Sequence, residues 1–522
     1  MRIRQAFARR LGALVCALLG ALLGAVPVRA EAPLTAIDWL GEAGPVIRAP
    51  EGGPMAEQEA PVSLSASAPD VTIASIGAAR AQVSVGLLGR SITGLPETLW
   101  SGSRYERLRE EIAGADFRSI AALQRLFYTL MLAEALPPDG ADAERFLTLR
   151  ADRLRAFGAI EPAEALVERL PLSSAAHFGL WFDLTLLAGL EDKACAVLNA
   201  KRGLSGDYAA HIFCAVRGEN WADAALLFEA ADALGLLSGS QRRLLLAFLD
   251  PDYAEASPFL APPREISPLE FRLYDAVGNP LPTANLPVAF AVSDLRAVAG
   301  WKAQLEAAER LVRNGALSSN VLLGLYTERK PSASGGVWER ARAVQGLEAA
   351  LEEGGAARLS AALLRAHEVL AAHGLVSLLA DLYAPEIVGA ELTHEAEDLR
   401  FRLGLLSADY ERAVAPRDPA ADVAFLQSLA AGAPLGAAAL EDRLAEAIEA
   451  GFGAALPDPA VLSLMEGGQL GQAILAASEQ LKAGLSGDLA ALRSGLAALR
   501  LMGLEDVARR ASLDMMLQRR QF

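Results

Sequence analysis

Lys201-Arg-Gly-Leu-Ser-Gly-Asp-Tyr-Ala-Ala210 recurs 281 positions further on as Lys482-Ala-Gly-Leu-Ser-Gly-Asp-Leu-Ala-Ala491, identical at eight of ten positions. Each copy reads the same way: the end of one helix, a Gly-Leu stop, a Ser and an Asp suited to cap, and the start of the next helix. The stop is not confined to this pair. Gly followed by Leu closes a helical pattern at Gly189, Gly203, Gly235, Gly374, Gly404, Gly484 and Gly503. Glycine accepts the left-handed conformation at a helix end, and the apolar residue after it packs back on the last turn. From Tyr105 onward almost every segment has helical periodicity, so the expectation is a chain of short helices joined by tight turns.

Fainter echoes support repetition. Gly189-Leu-Glu-Asp-Lys-Ala194 matches Gly503-Leu-Glu-Asp-Val-Ala508, and a polar turn, an aromatic residue and an Ala three residues on occur in both Gly218-Glu-Asn-Trp221-Ala-Asp-Ala224 and Ser407-Ala-Asp-Tyr410-Glu-Arg-Ala413. These resemble the turn and first helix of tetratricopeptide-type repeats, where the aromatic and the Ala interlock neighbouring helices, although the full consensus of about 34 residues is absent. The expected fold class is all-α: an irregular helical-hairpin repeat, a tetratricopeptide-like α-solenoid, with roughly ten hairpins of about forty residues each. Eight prolines crowd between Asp250 and Pro287. They divide the array into an N-terminal half over residues 103–250, a Pro-rich break over 251–290 and a C-terminal half over 291–522.

The run from Val85 through Gly86, Leu87 and Leu88 to Trp100, and the run from Leu325 and Tyr326 to Trp338, resemble stretches of exported, Ala-rich helical proteins of alphaproteobacteria. That resemblance covers most of the chain beyond its first thirty residues. It implies a cell type and a compartment, and no catalytic residue.

The N-terminus carries its own compartment signal. Arg2, Arg4, Arg9 and Arg10 precede an apolar run from Leu11 to Val28, and Val28-Arg29-Ala30 fits a cleavage triplet; residues 1–30 are expected to be a Sec signal peptide directing the protein to the periplasm. A retained membrane anchor is the competing reading, and the small-residue triplet favours removal. Cys16 lacks the context of a lipid-modified cysteine, and no later stretch is apolar enough to span a bilayer. Residues 31–102 are rich in Pro, Gly, Ser and Ala and read as an extended leader, with short alternating runs at 62–67, 71–76 and 82–85. Leu87, Ile92, Leu95, Leu99 and Trp100 are its expected anchors.

At 522 residues, 52% hydrophobic and 21% charged, the chain is too large for one core and too apolar for disorder. Its net charge is −16, and loss of the first thirty residues, which hold five Arg and no acid, deepens it. An acidic surface opposes binding to nucleic acid or to anionic lipid. In an oxidising compartment Cys195 and Cys214 are expected to pair, since they lie equidistant from the Gly203-Leu-Ser-Gly206 turn and so stand level in a helical hairpin. Their spacing is not that of a CxxC redox catalyst. At the repeat offset they correspond to Ala476 and Gly495, small residues at what would be the same close approach.

No catalytic constellation passes its spacing test. There is no Gly-Lys dipeptide for a phosphate loop and no Gly-x-Ser-x-Gly elbow. His367 and His373 are six residues apart, which places them on different faces of a helix, and His177, His211 and His394 are isolated. No metal, cofactor or catalytic residue is therefore expected. Acidic pairs such as Glu352-Glu353, Glu395 with Glu397 and Asp398, and Glu441-Asp442 read as solvated faces, though paired carboxylates have no sequence signature of their own. The most distinctive surface candidate is the loop from Thr327 to Val337. There Arg329 and Lys330 precede Pro331-Ser-Ala-Ser-Gly-Gly336, flanked by Tyr326, Trp338, Arg340 and Arg342. Two readings stand: a site for an anionic or peptide partner, or an interhelix loop whose aromatics anchor the core.

The functional expectation is a non-catalytic periplasmic scaffold or assembly factor of the cell envelope, binding an envelope protein or peptide, with no nucleic acid and no stable membrane insertion. The alternative is a peptidoglycan-acting enzyme or accessory built on a helical solenoid. A purely architectural protein is a third possibility.

Overall fold

The computed structural model describes residues 83–256, 260–416 and 421–518. The expected signal peptide, the leader up to residue 82 and the runs at 62–67 and 71–76 lie outside the described residues. The rest of the leader is bound to the helical body. Val85 pairs with Ala135 and Leu88 with Ala133 in isolated β-bridges. The fully buried Arg150 clamps both partners, Nη2 donating to Val85 O at 2.7 Å and Nη1 to Ala133 O at 2.8 Å. Leu95, Leu99 and Trp100 are buried as expected, and Leu87 is partly so. Ile92 is not an anchor: it sits in the single turn α1 (Arg90–Thr93), which buries no residue, and is 72% exposed.

Beyond this segment the described chain is helical. The first run comprises α2 (Tyr105–Gly114), α3 (Ala121–Leu132), α4 (Ala143–Phe157), α5 (Ile160–Val167), α6 (Ala175–Ala188), α7 (Glu191–Ala200), α8 (Tyr208–Arg217), α9 (Trp221–Ala233) and α10 (Gly239–Leu249). The Pro-rich stretch holds α11 (Pro251–Ala256), α12 (Pro268–Ala276) and a 3-10 segment, Val288–Leu295. There follow α13 (Trp301–Arg313), α14 (Ser319–Glu328), α15 (Gly336–Glu353), α16 (Ala356–Ala371), α17 (Val376–Ile387), α18 (His394–Leu406) and α19 (Ala421–Ala430). The last five are α20 (Arg443–Phe452), α21 (Pro459–Glu466), α22 (Leu470–Leu485), α23 (Leu489–Leu501) and α24 (Glu505–Gln518). Successive helices pack as hairpins, so the fold is an irregular all-α helical array.

Four of the seven Gly-Leu stops act as read: Gly189, Gly235, Gly374 and Gly503 all take positive φ at or just past a helix end. The other three do not. Gly203 lies in a 3-10 turn, while Gly404 and Gly484 lie inside α18 and α22. The two interior glycines serve close packing instead: a Cβ at Gly404 would stand 3.1 Å from Ala413 Cβ, and one at Gly484 would stand 2.9 Å from Leu492 Cβ. Side-chain caps begin several helices. Asp207 accepts from Ala209 N to start α8, and Ser238 with Gln241 forms a reciprocal capping box on α10.

The repeated decapeptide marks two equivalent tight hairpins. In the first, Cys195 of α7 and Cys214 of α8 form a disulfide with Cα atoms 4.8 Å apart. In the second, a Cβ at Gly495 of α23 would lie 2.8 Å from Ala477 O of α22. Close approach is thus secured once by a covalent bond and once by a missing side chain. Replacing both cysteines by alanine is expected to cost about 3 kcal/mol, from the loop-closure entropy of the 19-residue separation. Denaturant unfolding under oxidising conditions measures it, and an unchanged midpoint would show that the hairpin is held by packing alone.

The apolar core falls into two large clusters. One runs from Val85 to Phe290 and takes in residues from Phe401 to Leu517; the other spans Trp301 to Leu403. The two expected halves meet along the first cluster because the array returns on itself: α24 and α22 both pack against α3. Trp100 lies on the backbone of α22 at Gly471, whose N–H donates to Leu99 O at 2.7 Å. Gln472 donates to Glu111, and Gln518 to Ser119 O. The Pro-rich stretch is fastened to the first run of helices, Arg272 donating to Leu186 O at 2.7 Å and Ser293 to Leu187 O at 3.0 Å.

Asp514 of α24 completes the closure from within. Its buried carboxylate accepts the Ala122 N–H at 2.8 Å, satisfying one of the free donors at the start of α3. Burial pushes this carboxyl up to about 6; Arg125, the Ala122 amide and Arg510 oppose the rise and Asp381 adds to it. Because the folded value lies above that of an unfolded aspartate, the stabilising contribution of proton binding is full below about pH 4 and is lost as pH rises through about 6. Acidification from pH 7 to pH 4 should therefore stabilise the natural chain relative to Asp514→Asn, by up to about 3 kcal/mol. Parallel pH profiles for the two proteins would overturn this.

Candidate functional site

The loop singled out in the sequence joins α14 to α15, and the structure divides its six flanking residues into two groups. Tyr326 is on the inward face of α14 and is fully buried; its hydroxyl donates to Glu309 Oε1 of α13 at 2.7 Å. Arg340, one turn into α15, is also buried and grips the same carboxylate with both ends of its fork, Nε to Oε1 and Nη2 to Oε2, each at 2.7 Å. Burial opposes the charge of Arg340, but hydrogen bonding and attraction from Glu309 outweigh it and raise its pKa. Burial raises the Tyr326 pKa, and the adjacent Glu309 raises it further. Trp338 packs against Trp301 with ring centroids 5.0 Å apart, and Trp301 Nε1 donates to Leu325 O. Tyr326 and Arg340 are parts of the interior and present no surface to a partner, while Trp338 is half-buried against the core. The aromatics lie as the second reading has them, and the buried carboxylate of Glu309 draws Arg340 inward beside Tyr326.

Arg329, Lys330 and Arg342 remain on the surface. Arg329 pairs with its neighbour Glu328 at 3.0 Å, and Arg342 donates to Ala333 O at 2.9 Å, folding the loop back on α15. Gln345 Nε2 holds the start of the loop by donating to Tyr326 O and Arg329 O, each at 2.7 Å. Lys330 has no ion pair among the described residues. Behind the loop, α15 and α16 border an open groove of about 210 Å³ lined by Glu339, Arg342, Gly346 and Arg365 among others, in which Arg365 already pairs with Glu339. The site can thus present two or three cations beside a shallow groove. Replacing Arg329 and Lys330 together by alanine should leave stability within about 0.5 kcal/mol, as for surface positions without a structural role. A larger loss in thermal unfolding would place them in the fold after all.

Several of the other candidates make structural contacts. His177 is buried with Nε2 2.9 Å from Val167 O, His211 contacts Ser205 O, and His373 contacts Val369 O. Burial lowers the His367 pKa. Asp398 pairs with Arg402 at 2.7 Å, Glu353 with Arg358, and Asp442 caps α20 by accepting from Leu444 N. Among the described residues no group of His, Cys, Asp and Glu is placed to hold a metal ion, and no helix is long and apolar enough to cross a membrane.

The sequence reading missed the outer face of α9. Trp221 and Tyr410, read as equivalent interlocking aromatics, behave differently: Tyr410 is buried and donates to Asp506 at 2.9 Å, whereas Trp221 is 53% exposed. Leu226, Leu234 and Leu236 are exposed along with it. The signal was present in the composition of Trp221-Ala-Asp-Ala-Ala-Leu-Leu-Phe-Glu-Ala-Ala-Asp-Ala233, whose apolar residues and three acids are spread all round the helix and so give no periodic contrast between an inner and an outer face. Comparison with protein-family descriptions, with curated proteins and with solved structures finds no match to this chain.

Proposed function

We propose that this protein is an exported, non-catalytic scaffold or assembly factor of the cell envelope, which binds other proteins across the surface of its helical array. The observation that carries this reading is the set of large apolar side chains left outside an otherwise acidic array, Trp221, Leu226, Leu234 and Leu236 among them. Contiguous exposed apolar surface on a soluble protein marks an interaction site. The Cys195–Cys214 disulfide agrees with an oxidising compartment. The surface cations Arg329, Lys330 and Arg342 supply a second, polar contact region on the same reading.

In-cell crosslinking of the tagged protein, followed by affinity capture and mass spectrometry, tests this. A reproducible set of envelope partners is the expected result. A cleared band on a peptidoglycan gel, with no partner captured, would replace it with the cell-wall enzyme reading.

A further inference from the structure

The outer face of α9 carries apolar side chains that the packing of the described residues leaves uncovered. Helix α9 buries Ala224, Phe228 and Ala231 against its neighbours, chiefly α8. On the opposite side, Ala225, Leu226, Glu229 and Ala233 fall within one turn-to-turn stripe, and Leu234 and Leu236 are exposed past its end, while Trp221 stands at the helix start above the buried Phe228. Leu226 and Leu234 are 65% and 67% exposed, and Leu236 is 53% exposed. Helix α9 carries apolar residues on its outer as well as its inner side, and α8 covers only the inner one.

Charge decides what supplies it. From Glu219 to Gln241 the chain has no Lys or Arg, but it has Glu219, Asp223, Glu229 and Asp232. Asp223 pairs with Arg202 and Asp232 with Arg242, while Glu219 and Glu229 have no ion pair among the described residues. A second copy of this chain carries a net charge of −16, so long-range repulsion opposes its approach to this acidic segment. Residues 31–82 of the chain itself hold seven acids against two Arg, Arg48 and Arg80, and fit no better.

We infer that the outer face of α9 is the docking site for an amphipathic helix of a partner protein, one whose apolar stripe is bordered by Lys or Arg. The partner's apolar side chains cover Leu226 and Leu234, and its cations meet Glu219 and Glu229. This helix-on-helix mode buries an apolar stripe at i, i+3, i+4 and i+7 spacing on each side. The inference rests on the scaffold reading above and adds the surface and the partner chemistry.

Two synthetic helices of 18 residues with the same Leu/Ala stripe, one bordered by Lys and the other by Glu, are the probes, titrated calorimetrically into the full exported protein. The Lys-bordered helix is expected to bind at least tenfold more tightly than its Glu counterpart. Leu226→Asp with Leu234→Asp should weaken it at least tenfold while leaving Tm unchanged, and Glu229→Lys should narrow the gap between the two peptides. No binding of either peptide, or equal binding of both, overturns the inference. So does a natural protein that is dimeric and becomes monomeric in the double variant, since a second copy would then cover the face. A fall in Tm of the double variant would show that the chain covers the face itself and overturns it likewise. Unaltered capture of the same cellular partners by the double variant removes α9 as their site and leaves the scaffold reading standing.

Discussion

Replacing Glu309 by alanine is expected to lower the unfolding free energy by about 3–5 kcal/mol. The carboxylate is the single acceptor shared by Tyr326 and Arg340, and its side chain and that of Arg340 are only 3% and 7% exposed. Removing it strands a guanidinium in the interior and takes the acceptor from a buried hydroxyl. The loss is set by what is left behind, so removing all three polar groups should be far milder. Glu309→Leu with Arg340→Met and Tyr326→Phe is expected to recover most of the stability, because the desolvation of both charges disappears with them. Urea unfolding distinguishes these cases by a shift of midpoint at unchanged slope. A loss below about 1 kcal/mol for Glu309→Ala would mean that Arg340 reaches water, contrary to its position here.

The second large effect belongs to the junction where the array returns on itself. Trp100 is fully buried, meets Phe146 edge-on at 5.6 Å, and lies so close to α22 that a Cβ at Gly471 would stand 2.5 Å from its ring and 2.9 Å from Leu99 O. Its indole N–H has no partner among the described residues, so packing is its whole contribution. Trp100→Ala is expected to cost about 3–5 kcal/mol. Gly471→Ala should also destabilise, since the clash involves backbone that cannot swing aside. In the double variant the small residue at 100 removes the ring that residue 471 would strike. Its cost should therefore fall clearly below the summed single costs, a coupling that unfolding measurements on the four proteins read directly. Simple additivity would mean that the ring and the glycine are not in contact.

Much of this architecture was legible because it is local. Helix periodicity, the cap at Asp207 and four of the Gly-Leu stops depend on residues within a turn or two of each other, and the disulfide spans a single helical hairpin. Gly404 and Gly484 were misread for the same reason: they are small to admit Ala413 and Leu492, and a packing glycine followed by Leu looks identical to a terminal one. The junction of Trp100 with Gly471 is separated by hundreds of residues and leaves no spacing rule. At the candidate loop, one sequence reading placed the aromatics in the core, but neither reading placed Arg340 there. Arg340 and Tyr326 turn inward because Glu309, on a helix earlier in the chain, gives them a buried partner. Arg329 and Lys330 stay outside because nothing does.

The contacts of α24 and α22 with α3 also bear on how the molecule comes apart. An open stack of helical hairpins loses its terminal unit first and unravels inward, since each unit is held by one neighbour at an end and by two elsewhere. Here the described ends sit on a single helix: residues 85 and 88 bond to the segment just past α3, and Gln518 bonds to Ser119 just before it. With about 1.5 Å of rise per residue, α3 sets those attachment points only about 20 Å apart. Neither end is a place to begin fraying, because each is the other's neighbour. Amide exchange should therefore find protection at the two ends rising and falling together, and a circular permutant joined there by a short linker should keep the same packing order.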